Sequence, residues 1–370
     1  MNTKFATGTE QFVSAWPGPV DCLLPLRPAP DAFSAAVDPA NLPFGLRHRA
    51  PDHRIDAADL DGADVILASG DIHEYLHLVP LAHALGQKLV YTIELNPQIR
   101  RQIVMLDPNR TRFQKAKTLV WLERNEIYRK RAVRLADGLQ TNGYPAFGSY
   151  APLSKSALFY LDNRISSDLL VTDTEMAARE ASLLSGAPLQ IIHSGRLETL
   201  KGSQGLIDIA RDLVGRGVSF DLHIFGSGSL ETPLQDQARA EGLSQVHFHG
   251  AVDFATELVP FCRQKGDLFL SLHLQSDPSC TYLESFGSGL PILGYDNRMW
   301  SEVNGASDAG WVVPKRDLGA IVKKLAELDG ARDQICAARS RARGFAAERL
   351  FETEFNRRMD HLKTICGLPL

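Results

Sequence analysis

Residues 276–295 read SDPSCTYLESFGSGLPILGY, which indicates a loop, a short helix, a glycine-rich break and a strand. Asp277 is typical of a helix N-cap, because its carboxylate can accept hydrogen bonds from the free amides of the first turn. Pro278 suits the first helical position, where no amide donor is needed. The amides of residues 279–281 are then expected to face outward and to bind an anion.

Glu284 follows one to two turns later, where its carboxylate could reach a hydroxyl group beside that anion. A diphosphate joined to a ribose would satisfy both features. A capped surface helix ahead of a buried strand would give the same pattern, so this stretch alone leaves both interpretations open.

Short apolar runs alternate with helical patterns on both sides of this stretch, which predicts parallel sheets joined by crossover helices. Strands are predicted at 64–69, 88–93, 139–142, 157–161, 189–194, 220–225, 246–248, 268–272 and 291–294. A long helix is predicted over 111–136, and one helical segment over 331–365. Residues 17–43 contain seven prolines, which break up any long element and leave only a short strand at 22–24.

At 370 residues the chain is too long for one ordinary core, and two domains are expected. The predicted division is an N-terminal domain at 1–183, a second domain at 184–345 and a C-terminal helix at 346–370 that packs back on the first. The formal net charge of −4 argues against a nucleic-acid partner. Five scattered cysteines without a CxxC pair argue against disulfides and structural zinc.

The compartment is expected to be the cytoplasm, for three reasons. No apolar run approaches the roughly 20 residues of a membrane span, and the N-terminus lacks the basic start and apolar core of a signal peptide. Unpaired cysteines fit a reducing environment.

Glycines and cations follow the predicted strands of the second half. Gly195-Arg196 and Lys201-Gly202 follow the strand at 189–194, at the edge of a parallel sheet where ligands usually bind. The Arg fork and the Lys point charge are both suited to phosphate oxygens. Gly226-Ser227-Gly228 and Gly250-Ala251-Val252 follow the next two strands. Each motif alone is also typical of a solvated turn.

Taken together, the order and spacing of these motifs resemble the retaining GT-B glycosyltransferases of glycosyltransferase family 4, also called glycosyl transferases group 1. The resemblance covers about Leu189 to Pro314. The matching positions are Gly195, Arg196, Lys201, Gly202, Gly226, Gly228, Phe248, Gly250, Asp267, Glu284, Gly289 and Pro291.

The resemblance implies an α/β GT-B fold, in which two Rossmann-like parallel-sheet domains face each other across a cleft. It implies catalytic roles for Arg196, Lys201, Asp277 and Glu94. The donor would be bound by Gly195, Gly226, Ser227, Gly250, Val252, Ser279, Cys280, Thr281 and Glu284. The acceptor would be bound by His73, Glu74 and Asn142 in the N-terminal half. No metal, cofactor or protein nucleophile is expected.

Two positions depart from the family pattern. The first Glu of the family's Glu-x7-Glu motif falls on Ser276, so either the neighbouring Asp277 contacts the donor sugar or the helix amides do. Glu94 stands where family members often carry a His near the reacting sugar.

The segment 100–134 has eleven Lys or Arg residues against three acids, with apolar residues interleaved. Helical spacing predicts an apolar stripe and a basic face. The helix could simply pack on the core with its basic face in water. It could also dock on anionic lipid head groups, which would place the protein peripherally on the inner face of the cell membrane.

The leading hypothesis is a retaining transferase that moves a sugar from a UDP- or GDP-sugar to a glycan or lipid-linked acceptor in surface polysaccharide or glycolipid biosynthesis. The alternative is a catalytically inactive GT-B protein that binds a sugar nucleotide or acts as a scaffold. A Rossmann dehydrogenase is disfavoured because no GxGxxG motif opens a helix. A phosphorylase is disfavoured because no pyridoxal-binding lysine context is found.

Overall fold

The computed structural model describes residues 3–25 and 38–369, so residues 26–37 of the proline-rich stretch lie outside the described part of the chain. The first half contains α1 (Thr3–Ala15), β1 (Asp21–Pro25), β2 (Gly45–Arg49), α2 (Ala57–Leu60), β3 (Val65–Ser69), α3 (Leu78–Ala84), β4 (Lys88–Ile93), α4 (Pro97–Leu106), α5 (Arg112–Leu135), β5 (Gly138–Asn142), α6 (Tyr144–Tyr150), β6 (Ala157–Tyr160) and α7 (Asp173–Leu184).

The second half contains β7 (Leu189–Ser194), α8 (Leu206–Gly215), β8 (Phe220–Phe225), α9 (Glu231–Ala240), β9 (Val246–Gly250), α10 (Val259–Lys265), β10 (Leu268–Ser271), α11 (Thr281–Gly287), β11 (Ile292–Tyr295), α12 (Arg298–Ser307), β12 (Gly310–Val313), α13 (Leu318–Asp329), α14 (Arg332–Ala347) and α15 (Phe351–Cys366). A π-helical turn, Phe254–Leu258, leads into α10.

Two parallel sheets form the centres of two domains, as predicted. The N-terminal sheet has the strand order β3-β4-β5-β6, and the C-terminal sheet has the order β12-β11-β10-β7-β8-β9. Strands β1 and β2 pair separately and in parallel. The predicted strand at 22–24 is β1, whereas α1 is not predicted from the sequence. Crossover helices cover the sheets, because strands with apolar residues on both faces must be buried on both sides.

The helical segment predicted over 331–365 is interrupted in the structure. Helix α14 ends at Ala347 and α15 begins at Phe351. Two backbone groups at the break bind the loop after β6: the Arg349 carbonyl accepts from Asn163 Nδ2 at 2.9 Å, and the Phe351 amide donates to the Ile165 carbonyl at 2.8 Å. These tertiary hydrogen bonds replace helical ones at the break.

Helix α15 packs on the N-terminal domain, which confirms that the C-terminal helix crosses back. Met359 and Leu362 are buried against Val90 of β4. Arg358 Nε donates to Gln140 Oε1 at 3.0 Å, and Gln140 Nε2 donates to the Arg358 carbonyl at 2.9 Å. This crossing ties the end of the chain to β5. Within the described residues, none of the helices combines the length and the apolarity needed to cross a bilayer.

Candidate active site

The three glycines predicted to bind the donor, Gly195, Gly226 and Gly250, lie side by side at the carboxyl ends of β7, β8 and β9. The Gly195 amide donates to the Phe225 carbonyl at 3.1 Å, and the Gly226 amide donates to the Gly250 carbonyl at 2.6 Å. Two residues after Gly195, the Leu197 amide donates to the Ser227 carbonyl at 2.9 Å. The sequence motifs therefore meet at one edge of the sheet.

Glycine is required at position 226 by this packing. Gly226 has φ +111°, a left-handed conformation, and a Cβ there would overlap the carbonyl oxygen of Gly195. Gly250, at φ +69°, has open space where its Cβ would be. The glycine at position 226 therefore allows the loop after β8 to approach the loop after β7 closely. Val252, further along, packs against the neighbouring hydrophobic core.

The two predicted cations lie in different environments. Arg196, in the loop after β7, is exposed to solvent. Lys201 is nearly buried, with 11% of its side chain exposed, and its Nζ lies 3.0 Å from Asp277 Oδ2. Glu198 lies between Arg196 and Lys201 in the sequence. Hydrogen bonds from Ser229 lower the pKa of its carboxyl group, and the Arg196 charge lowers it further. Lys201 is therefore the cation held at a fixed position.

Asp277 does not cap a helix, so that prediction is wrong. Helix α11 begins at Thr281, and Cys280 at its N-cap makes no side-chain capping bond. The Asp277 carboxylate turns toward Lys201, and the Ser279 amide donates to the Asp277 carbonyl at 2.8 Å instead of facing outward. The ion pair with a nearly buried lysine outweighs the capping bond, since charged partners bind more strongly in a low-dielectric setting.

One carboxylate oxygen of Asp277 has no protein partner among the described residues. Oδ2 faces Lys201, but Oδ1 is buried and accepts no hydrogen bond there. A buried acceptor without a donor is costly, so this atom points to a ligand hydroxyl or an ordered water.

Ser276, at the position of the family's first Glu, is a buried contact between the two domains. Its amide donates to Gln102 Oε1 of α4 at 3.0 Å, and its hydroxyl accepts from the Arg298 amide at 3.1 Å. The residue is 1% exposed, so a carboxylate in its place would be buried at this contact. The acidic function near Lys201 thus lies one residue later, on Asp277.

Glu284, predicted to hold a ribose, forms a bidentate pair with Arg164, which the sequence analysis missed. Arg164 Nε lies 2.7 Å from Glu284 Oε1, and its Nη2 lies 3.1 Å from Oε2. The Arg164 guanidinium also stacks on Phe254, 3.7 Å from the ring centre. Arg164 follows the end of β6, so the strand-end position that singled out the other cations could have found it.

Two buried histidines lie behind Lys201 and are neutral near pH 7. Burial lowers the pKa of His193 to about 4, and the Lys201 cation acts in the same direction. Burial and the Lys201 charge also lower the pKa of His273 well below its usual value. Because both imidazoles are neutral, they add no positive charge to that of Lys201.

Glu94 and Asn142, both predicted site residues, lie together at the carboxyl ends of β4 and β5. Asn142 Nδ2 donates to Glu94 Oε1 at 3.2 Å, and the Asp162 amide donates to Asn142 Oδ1 at 3.1 Å. Asp162 in turn accepts from Cys280 Sγ at 3.8 Å. A polar chain therefore runs from the end of β4 to the start of α11.

His73 and Glu74 lie apart from that chain, in a short 3₁₀ turn after β3. The His73 Nδ1 lies 3.0 Å from the Glu74 carboxylate, and both side chains are exposed. The His73 ring meets the Trp121 ring edge-on at 4.7 Å between centres. These two predicted acceptor residues therefore border α5.

Residues 175–339 match the sequence profile of the family described as "Glycosyl transferases group 1". The match covers less than half of the chain and contains the whole C-terminal sheet. A putative colanic acid biosynthesis glycosyltransferase, WcaL of Salmonella typhimurium (strain LT2), is 26% identical over 184 residues. That alignment covers 48% of this chain and 45% of WcaL, so the chain spans about half the length of this relative.

Two solved structures share the fold over most of both chains. HepE of Anabaena, in complex with UDP, has a TM-score of 0.63 at 14% identity and covers 89% of this chain and 88% of its own. WaaG, a glycosyltransferase involved in lipopolysaccharide biosynthesis, has a TM-score of 0.62 at 13% identity and covers 96% and 94%. The fold is GT-B, as predicted. The profile and the fold together support a GT-B glycosyltransferase.

Proposed function

We propose that this chain is a retaining glycosyltransferase that moves a sugar from a nucleotide diphosphate to a glycan or lipid-linked acceptor in surface polysaccharide or glycolipid biosynthesis. The observation that carries the proposal is the Lys201–Asp277 pair, at 3.0 Å, beside the glycine loops of the C-terminal sheet. It combines a fixed cation for a diphosphate with a buried acceptor, Asp277 Oδ1, that has no protein donor among the described residues.

Lys201 and the exposed Arg196 stabilise the negative charge that develops on the departing diphosphate. Such preorganised electrostatic stabilisation is commonly the largest catalytic contribution. Asp277 Oδ1 accepts a hydrogen bond from a donor-sugar hydroxyl, and Glu284 binds the ribose hydroxyls from its position beside Arg164. Gly195 and Gly250 have open space where a Cβ would be, so the nucleotide can lie close to the backbone there.

The acceptor oxygen attacks the anomeric carbon on the face from which the diphosphate leaves. The bond from that carbon to the diphosphate oxygen breaks, the new glycosidic bond forms, and the acceptor proton passes to the departing phosphate oxygen. Configuration is retained without a protein nucleophile. Glu94 and Asn142 orient the acceptor from the N-terminal side of the cleft.

A uridine nucleotide is the first donor to test, because HepE was solved with UDP. A polysaccharide acceptor is favoured by the colanic acid role in the name of WcaL. GDP-sugars remain the second choice.

Thermal-shift measurements with UDP, GDP, ADP and their sugars test the donor site. One nucleotide class should raise the melting temperature, and Lys201→Ala should reduce the rise, whereas Arg239→Ala on the remote helix α9 should preserve it. NMR of the anomeric proton of the product then tests retention. Failure of every nucleotide to bind would refute the proposal, and binding without hydrolysis or transfer would favour an inactive sugar-nucleotide-binding protein.

A further inference from the structure

Helix α5 exposes large apolar side chains that a core-packed helix would bury. Phe113, Val120 and Ile127 are 80%, 63% and 70% exposed. They are seven residues apart, so they lie on one side of the helix. The helix meets the core along another side, where Ala132 and Val133 are buried. The predicted apolar stripe is therefore split between the core and the surface.

Exposed cations alternate with these apolar residues. Lys117, Arg124 and Arg131 are also seven residues apart, and each follows one of the three apolar residues by one turn. We call residues 113, 117, 120, 124, 127 and 131 the outer face of α5. It extends about 27 Å along the helix, at the usual rise of 1.5 Å per residue.

The charge of this face is not balanced by acids of the same helix. Helix α5 has eight Lys or Arg residues and two acids, in a chain whose net charge is −4. Both acids are engaged elsewhere: Glu123 lies 2.6 Å from Arg101, and Glu126 is buried 2.8 Å from Arg129. The outer face therefore presents positive charge and apolar side chains together.

We propose that the outer face of α5 docks on the surface of an anionic lipid bilayer. Phe113, Val120 and Ile127 enter the boundary between head groups and acyl chains, while the alternating cations bind lipid phosphates, as expected for an interfacial amphipathic helix. A second copy of the chain fits less well, because pairing two such helices would bring strongly positive surfaces together.

The outer face borders the predicted acceptor side of the cleft. Trp121, one turn from Lys117, contacts His73 after β3. A concavity of about 470 Å³ at the start of the helix is lined by Asn109, Arg110, Gln114, Lys117, Thr118 and Trp121. A docked α5 would hold this concavity and the His73 turn at the lipid head groups, where a lipid-linked acceptor is presented. The docking goes beyond the transfer reaction and is measured without turnover.

The test is co-sedimentation of the full chain with vesicles of phosphatidylcholine alone, or with one third phosphatidylglycerol. The charge variant combines Lys117→Glu, Arg124→Glu and Arg131→Glu. The apolar variant combines Phe113→Ser, Val120→Ser and Ile127→Ser. A matched control reverses three exposed cations of the C-terminal domain and changes the net charge equally: Arg216→Glu, Arg239→Glu and Lys323→Glu.

The unmodified chain should pellet with anionic vesicles and stay in solution with phosphatidylcholine alone. The charge variant should lower the partition coefficient roughly a hundredfold, from the attraction that each cation near an anionic surface contributes. The apolar variant should lower it at least about tenfold, because partial burial of three apolar side chains is lost. The control should stay within about twofold of the unmodified chain, given the short range of screened charges.

Equal pelleting with both vesicle types, or a control as defective as the charge variant, would overturn the proposal. So would light scattering that shows a dimer which the apolar variant converts to a monomer, since a second copy would then cover this face. The nucleotide-induced thermal shift is measured on every variant. A variant that keeps this thermal shift is folded and has an intact donor site. A loss of vesicle binding in such a variant is then a failure of docking and not of the donor site.

Discussion

The Lys201–Asp277 pair gives the most direct test of the proposed site. Lys201→Met removes the cation and leaves the Asp277 carboxylate with neither oxygen paired by protein, since Oδ1 already has no partner among the described residues. Removing one member of a buried ion pair costs about 3–5 kcal/mol. The Lys201 and Asp277 side chains are 11% and 19% exposed to solvent, so water can solvate the unpaired carboxylate and lower that cost. We expect a loss of about 3 kcal/mol in the free energy of unfolding.

Asp277→Asn keeps the shape of the side chain and a carbonyl oxygen that can accept from Lys201. It should cost about 2 kcal/mol, because a charge-assisted hydrogen bond becomes a weaker one and Lys201 loses its counter-ion. The double variant should cost less than the sum of the two, with a coupling energy of about 2 kcal/mol. Urea denaturation followed by tryptophan fluorescence measures all three values.

The two variants should differ in function. Lys201→Met should weaken binding of the nucleotide diphosphate about 30-fold, the loss of one charge-assisted contact of roughly 2 kcal/mol. Asp277→Asn removes a negative charge, so it should keep or improve that affinity while sugar transfer falls. Isothermal titration with the diphosphate and a transfer assay measure the two effects. A coupling energy below about 0.5 kcal/mol would refute the ion pair, and unchanged diphosphate affinity in Lys201→Met would refute its role.

Three other variants test separate parts of the site. Glu284→Gln should weaken nucleotide binding about tenfold, because the ribose hydroxyls lose a charged acceptor worth roughly 1.5 kcal/mol. Equal nucleotide affinities of the variant and the unmodified chain, measured by titration, would contradict this. Arg164→Met is the comparison variant, since it removes the partner of Glu284 and leaves the carboxylate in place. Gly226→Ala should lower the free energy of unfolding by about 3 kcal/mol or more, through steric overlap and a left-handed backbone. Gly217→Ala is the control, because Gly217 is also left-handed but has open space around it, and it should cost about 1 kcal/mol. Similar melting temperatures of the two variants would show that the Gly226–Gly195 contact does not require glycine. His193 has its pKa lowered to about 4 in the folded chain, from 6.5, so the unfolded chain binds the extra proton between these pH values and stability is lost as pH falls through that window. His193→Gln should lower the acid slope of stability by about 1.4 kcal/mol per pH unit, and an unchanged slope would count against a neutral, buried imidazole.

Much of the architecture was predictable because it depends on local signals. The strands β4, β7 and β8 have the predicted bounds, and α5 begins and ends within one residue of its prediction. Apolar runs bounded by glycine and polar residues specify such elements directly. The glycine and lysine motifs were predicted at the strand ends for the same reason, and in a parallel sheet all those ends meet at one edge.

The partners of the site side chains were not predictable. Asp277 pairs with a residue 76 positions away, and Glu284 pairs with one 120 positions away. A capping pattern is a local preference worth about 1 kcal/mol, so a nearly buried ion pair can override it. The roles assigned to these residues in binding and catalysis stay predictions.

The sequence by itself determined the two parallel sheets, the glycine loops and the basic character of α5, because period and spacing are properties of neighbouring residues. Only the tertiary structure decided that Asp277 faces Lys201, that Arg164 holds Glu284, and that α5 turns apolar residues outward. The last helix is broken for the same reason, through hydrogen bonds to the loop after β6. Those outcomes depend on which distant groups meet in a low-dielectric interior, where unpaired charges and polar groups are most costly.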